Sequence, residues 1–188
     1  GLFFTGSLGA GGYGSYKLNL LWPFIDYGWS QIVPDIPHTK YDYEGLSFLG
    51  IGVMALLLWS LATGGLGRLR AIFSWRWIPL AIILLLLTVF AFSKSFSVAD
   101  IDLFTIDWPW PIWAIGAAFR STGRFVWPLL YIITVGAAVL AAAKWPRLSV
   151  PLIVLALAAQ IVDSQPGWSS FARNMAQPSD KWRTLLVS

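Results

Sequence analysis

Four apolar stretches divide the chain, over about 46–66, 77–93, 125–143 and 148–163. The first is interrupted only by Ser47, Ser60 and Thr63 among hydroxyl residues, and the second contains the run Leu80–Val89. A hydrocarbon core of roughly 30 Å needs about 20 helical residues, so each stretch is read as a transmembrane helix. The second and fourth are short by that measure. They must borrow flanking residues such as Trp145 and Ser164, or sit where the bilayer is thinned. The expected fold class is an all-α membrane protein with about four transmembrane helices and ordered extracytoplasmic loops.

The connections have distinct characters. Residues 1–45 form a segment rich in glycine and aromatic residues. Gly9, Gly11, Gly12 and Gly14 forbid a steady helix, and Pro23, Pro34 and Pro37 break the remainder. It is expected to be an ordered loop on the membrane surface. Residues 94–124 form a long connection, with an interfacial helix expected from about Ile112 up to the third span. A polar tail, 164–188, follows the fourth. The four spans and their connections thus make one membrane region, 46–163.

Charge orients this pattern. The two short connections hold Arg68, Arg70 and Arg76, then Lys144 and Arg147, and no acid. All nine carboxylates lie in the other segments: Asp26, Asp35, Asp42, Glu44, Asp100, Asp102, Asp107, Asp163 and Asp180. Basic loops stay on the cytoplasmic side. The segment 1–45, the connection 94–124 and the tail are therefore expected outside, with both ends of the chain extracytoplasmic.

Composition agrees. The chain is 57% hydrophobic and 12% charged, where a soluble domain would be near one quarter charged. Its mean hydropathy is +0.67. Twelve tryptophans suit membrane interfaces, where the ring is partly apolar and its N–H stays wet. The net charge of +4 resides in the short loops and does not indicate nucleic-acid binding. There is no cysteine, hence no disulfide and no thiol ligand. The chain starts at Gly1 and stops after Ser188 without start or stop signals, and is expected to be a piece of a longer protein.

Several constellations bear on chemistry. In Phe119-Arg120-Ser121-Thr122-Gly123-Arg124, a helix continuing from Ile112 would put Arg120 and Arg124 one turn apart. Two such guanidinium groups favour an anion between them, and phosphate matches their geometry. Ser121 and Thr122 add hydroxyl donors. The alternative is that these arginines reach ordinary headgroups or pair with nearby aspartates. Asp100 and Asp102 share a face if extended, and suit a divalent cation or a base. The pair Asp42 and Glu44, just before the first span, suits a metal or a sugar hydroxyl. Asp35 and His38 are a weak metal pair, and no metal site is assigned. Gln160 and Asp163 share a helix face at the end of the fourth span, where a polar residue is paired or functional. The glycines at 9–14 lack the Lys-Ser/Thr end of a phosphate loop.

Three pieces carry a resemblance: Gly12-Tyr13-Gly14-Ser15-Tyr16-Lys17-Leu18-Asn19, then Tyr41-Asp42-Tyr43-Glu44-Gly45-Leu46, then Phe119–Pro128. With Gln160 and Asp163 they resemble an uncharacterised bacterial family grouped with the GT-C-fold membrane glycosyltransferases. That resemblance implies transfer of a sugar from a polyprenyl-phosphate carrier to an extracytoplasmic glycan or lipid acceptor, at the bacterial inner membrane. Arg120, Arg124, Ser121 and Thr122 would hold the carrier phosphate. Asp42, Glu44, Asp107, Tyr16 and Asn19 would contact sugar or acceptor. The catalytic carboxylate of such enzymes usually lies in the first outward loop, here expected before Gly1. Implied partners are membrane lipid and the polyprenyl-linked sugar, with a divalent cation as a possible cofactor. The alternatives are a lipid-linked glycan flippase and a non-catalytic membrane scaffold.

Overall fold

The computed structural model describes residues 16–39, 46–65, 67, 74–119, 121–144 and 146–176. These are mostly helical, with one two-stranded sheet among them. Helix α1 is Ile51–Ser60 and runs on into a wider π turn, Leu61–Gly65. It starts later than the apolar pattern predicts, because Gly50 sits at φ 81. That left-handed bend costs glycine little and other residues much more. A Cβ at Gly50 would also collide with the side-chain amide of Gln160.

Helix α2, Ile78–Ala91, is entered through a 3₁₀ turn at Trp75–Trp77. Pro79 falls in its first turn, where no backbone donor is needed. Strands β1, Ser95–Val98, and β2, Ile101–Thr105, then pair antiparallel. Val98 faces Ile101 across a two-residue turn, in which Ala99 takes φ 55. In β1 the buried Ser95 and Ser97 alternate with the half-buried Phe96 and Val98, the period of two that a strand requires. This hairpin is an addition to the all-helical architecture expected from the sequence.

Helix α3, Trp110–Ala117, occupies the connection ahead of the third apolar stretch. A 3₁₀ turn, Gly123–Val126, leads into helix α4, Trp127–Lys144. Together they make a 22-residue helix, Gly123–Lys144, long and apolar enough to cross a membrane. Helix α5 is Ser149–Asp163. Where a polar tail was expected, the chain bends by 49° and forms helix α6, Gln165–Ala176. The α5–α6 pair passes the same test as one bent unit, and the apolar helices Ile51–Thr63 and Trp75–Ala91 are shorter.

Contacts set the direction of each helix. At one end the Lys144 ammonium donates to the Thr63 carbonyl. At the other, Trp127 Nε1 donates to the Leu46 carbonyl at 3.1 Å, so α1 and α4 run the same way. The start of α1 meets the end of α5, where Gly52 N–H donates to Gln160 Oε1 at 3.1 Å. The end of α2 meets the entry to α4, where Phe90 packs edge-on against Phe119 and Phe125. One end of the helix layer therefore gathers the segment 16–39, the hairpin, α3 and α6. The opposite end carries Arg76, Lys144 and Arg147. Arg68 and Arg70 lie outside the described residues.

A small core sits under the first of these ends. Leu18, Ala91, Phe92 and Val126 are buried together, with Trp22, Phe96, Phe125 and Trp127 around them. The sides of the helices are the reverse. Ile82, Ile83, Leu85 and Leu86 of α2, and Val154, Leu155, Leu157 and Ile161 of α5, are all exposed.

Candidate functional site

The polar and aromatic end of the molecule is held by three clasps, and each bears on residues singled out in the sequence. The first is at the entry to α4. Helix α3 ends at Ala117, Phe119, Ser121 and Thr122 are non-helical, and helical turns resume only at Gly123. No single helix therefore runs from Ile112 through Arg124, and the expected one-turn spacing of the two arginines does not arise in that way. Arg120 itself lies outside the described residues. Arg124 is exposed, and its guanidinium carbon lies 5.8 Å from the Trp127 ring centre. That is a cation–π distance, which orients the guanidinium without neutralising it. Thr122 is fully buried and its hydroxyl donates to the Tyr16 carbonyl at 3.1 Å, so its role is to fasten the segment 16–39 rather than to meet phosphate. Ser121 differs. Its Oγ is buried without a hydrogen-bond partner among the described residues. A buried hydroxyl left unpaired costs about 1–3 kcal/mol, so this donor is unspent.

The second clasp joins the segment 16–39 to the hairpin. The buried Lys17 ammonium pairs with Asp102 and donates to Ser95 Oγ at 3.0 Å. The hydroxyls of Ser95 and Ser97 donate to the same Asp102 Oδ1, at 2.9 and 2.8 Å. The Lys17 hydrogen bond, then that of Ser97, holds the Asp102 carboxyl below its ordinary value, against the opposing effect of burial. Asp102 thus stays ionised at neutral pH and is unsuited to proton transfer. About half of its side chain remains exposed, so the Lys17-paired carboxylate still reaches the surface. Asp100 lies in the hairpin turn and does not share a strand face with Asp102. Asn19 is 2% exposed. Its amide donates to the Ala99 carbonyl at 2.7 Å and its oxygen accepts from Leu21 N–H at 3.0 Å. It is a brace for the hairpin turn and is not available to a sugar.

The third clasp ties the same segment to the end of α5. The Ser30 hydroxyl donates to the buried Asp163 carboxylate at 2.7 Å, and Gln31 and Ile32 N–H add bonds of 3.1 Å to its Oδ1. Asp163 is therefore held by Ser30 and two backbone amides. Asp26, also buried, accepts Ser30 N–H at 2.7 Å through Oδ2, while its Oδ1 has no partner among the described residues. Gln160 bonds Gly52 N–H and Ser164 Oγ, locking α1 to α5.

The remaining residues are dispersed. Asp107 is exposed beyond the hairpin, and Tyr16 is half-buried beside Thr122. Asp42 and Glu44 lie outside the described residues. Asp35 meets His38 at 3.9 Å, and among the described residues no three metal-ligating side chains come together. Sequence reasoning missed Lys17, Ser30 and Asp26. The one signal for Lys17 was a lone cation amid aromatic and glycine residues, and its partner lies 85 positions away.

Residues 1–165 match a family described as Domain of unknown function (DUF6311). Neither a curated protein nor a solved structure matches the chain.

Proposed function

The chain belongs to the DUF6311 family, and from its own residues we propose that it is part of a multi-pass membrane glycosyltransferase. In this reading it takes sugar from a polyprenyl-phosphate carrier on the extracytoplasmic side, as GT-C-fold enzymes do. Four apolar helices, α1, α2, α4 and α5, span the bilayer, with Arg76, Lys144 and Arg147 at the cytoplasmic end. The exposed isoleucine and leucine side chains of α2 support this, since water would not tolerate so continuous an apolar surface. The 14 residues Ile78–Ala91 cover only about 21 Å at 1.5 Å per residue, and the turn Trp75–Trp77 extends the span to about 26 Å. Helix α6 carries Trp168, Phe171 and Met175 exposed on one face, as a helix lying in the interface does.

One observation carries the chemistry. The exposed Arg124 lies three residues after Ser121, whose buried hydroxyl has no partner among the described residues, at the start of the apolar helix Gly123–Lys144. Basic residues on the acid-rich side run against the usual sorting of charge across a membrane. A lipid phosphate at headgroup depth suits Arg124, since guanidinium binds phosphate in two parallel hydrogen bonds. Asp102, fixed and ionised, stands on the same side as a contact for hydroxyl or cation.

The test is sugar transfer by the full-length protein in proteoliposomes supplied with a polyprenyl-phosphate-linked sugar. Replacing Arg120 and Arg124 together by alanine should abolish transfer while insertion and thermal stability persist. Transfer at the wild-type rate in that variant would refute the assignment.

A further inference from the structure

A cavity of about 200 Å³ lies between the turn Tyr27-Gly28-Trp29 and helix α6, lined on the helix side chiefly by Ser170, Phe171 and Asn174. The turn is costly to make. Tyr27 takes φ 53 and Gly28 φ 76, closed by a Trp29 N–H to Asp26 carbonyl bond of 3.1 Å. A left-handed non-glycine residue costs of order 1–3 kcal/mol and persists only when its surroundings impose it. Here they do. Asp26 holds the turn through Ser30, and Ser30 is fastened to Asp163 at the end of α5. On the far side Gly167 lets the helix approach the Trp29 ring so closely that no Cβ would fit between them. Trp29 is further fixed edge-on to Trp168, with ring centres 5.6 Å apart. The turn thus places the Tyr27 and Trp29 rings at the rim of a small cavity.

The lining defines the ligand. It holds no charged side chain, which argues against a phosphate or a carboxylate. It combines aromatic rings with the Ser170 hydroxyl, the Asn174 amide and the Trp29 indole N–H, none of which has a hydrogen-bond partner among the described residues. Rings that meet C–H groups, beside neutral donors and acceptors that meet hydroxyls, suit a carbohydrate. Cavities for drug-sized ligands run to about 300–1,000 Å³, so this one takes a single ring. We propose that the cavity between the Tyr27–Trp29 turn and helix α6 binds one neutral sugar ring. The site deepens the transferase reading, on which its biological role rests, by giving the glycan acceptor a place apart from the carrier phosphate at Arg124.

The experiment is saturation-transfer NMR on the full-length protein in nanodiscs. The probes are the methyl glycosides of glucose, galactose, mannose and N-acetylglucosamine. At least one should bind saturably. Trp29→Ala and Asn174→Leu should each weaken it roughly threefold to tenfold, the worth of one ring contact or one hydrogen bond. Arg124→Ala should leave it unchanged. If Trp29→Ala fails to fold, Asn174→Leu and Ser170→Val, both at solvent-exposed positions of α6, carry the test. No saturable signal from any glycoside, or a signal unaltered by these variants, would overturn the site. Sugar binding without transfer would overturn the transferase reading and leave this site standing, and transfer without binding here would overturn the site alone.

Discussion

Gly52 and Gly136 are both helical glycines, and the structure assigns them opposite responses to the same change. Gly52 lies where α1 crosses α5. A Cβ there would lie 2.9 Å from the Ala156 carbonyl carbon and 3.2 Å from Gln160 Cβ, and nearer still to the Ala156 oxygen. Ordinary contact begins at 3.4 Å, so the helices must part by about 1 Å to clear the Ala156 oxygen. Small residues at such crossings let membrane helices approach closely. Overpacking of this kind costs about 1–3 kcal/mol. Parting the helices also stretches the 3.1 Å bond from Gly52 N–H to Gln160, worth about 1 kcal/mol. Gly52→Ala should therefore lose roughly 2–4 kcal/mol, about a 30- to 700-fold shift toward the unfolded state. At Gly136, within α4, an added Cβ meets nothing within 4 Å. Gly136→Ala should gain about 0.5–1 kcal/mol from reduced backbone freedom. Unfolding by SDS titration in mixed micelles, followed by circular dichroism, measures both. Equal stability of Gly52→Ala and wild type, or equal losses in the two variants, would refute the close α1–α5 crossing.

Two further outcomes follow from the clasps. Asp102 has a depressed carboxyl pKa in the folded state, so its contribution is full above the ordinary value of 3.8 and is lost as pH falls through the lower folded value. Asp102→Asn should remove that acid-dependent loss and also strand the buried Lys17 ammonium, lowering stability at pH 7 by roughly 1–3 kcal/mol; melting curves from pH 2 to 7 would reveal both, and an unchanged acid limb would contradict the pairing. Ser30→Ala removes the donor to Asp163 and the acceptor for Ile32 and Val33 N–H. Amide exchange at residues 31–33 should rise about tenfold or more, as loss of one buried bond implies, while the α4 amides keep their protection.

The long apolar runs were legible because a helix needs only local information. The stretch 125–143 became α4 with little change in bounds, and the connection before it holds a helix, Trp110–Ala117, that ends short of the expected reach to the third stretch. What failed to show was set by distant partners. The start of α1 depends on the bend at Gly50 against Gln160, 110 positions away. Ser95–Val98 is a four-residue run between Lys94 and Ala99, too short to signal a strand without Lys17 beneath it. Asp163 and Gln160 were recognised as needing partners, but Ser30 and the Gly52 amide could not be named from spacing. Thr122 and Asn19 look like ligand donors in sequence, yet each spends its side chain on a backbone carbonyl.

Everything proposed about the site requires that the hairpin, Arg124 and α6 share one side of a bilayer, with Arg76 and Arg147 on the other. These 188 residues hold no cysteine, so once any cysteine elsewhere in the full-length protein is replaced by serine, single cysteines report without background. Asp107→Cys and Ser170→Cys, in spheroplasts of cells expressing the full-length protein, should react with a membrane-impermeant maleimide added outside. Ser74→Cys and Arg147→Cys should react only after permeabilisation. Labelling of all four from one side, or of residues 74 and 147 from outside, would contradict the arrangement.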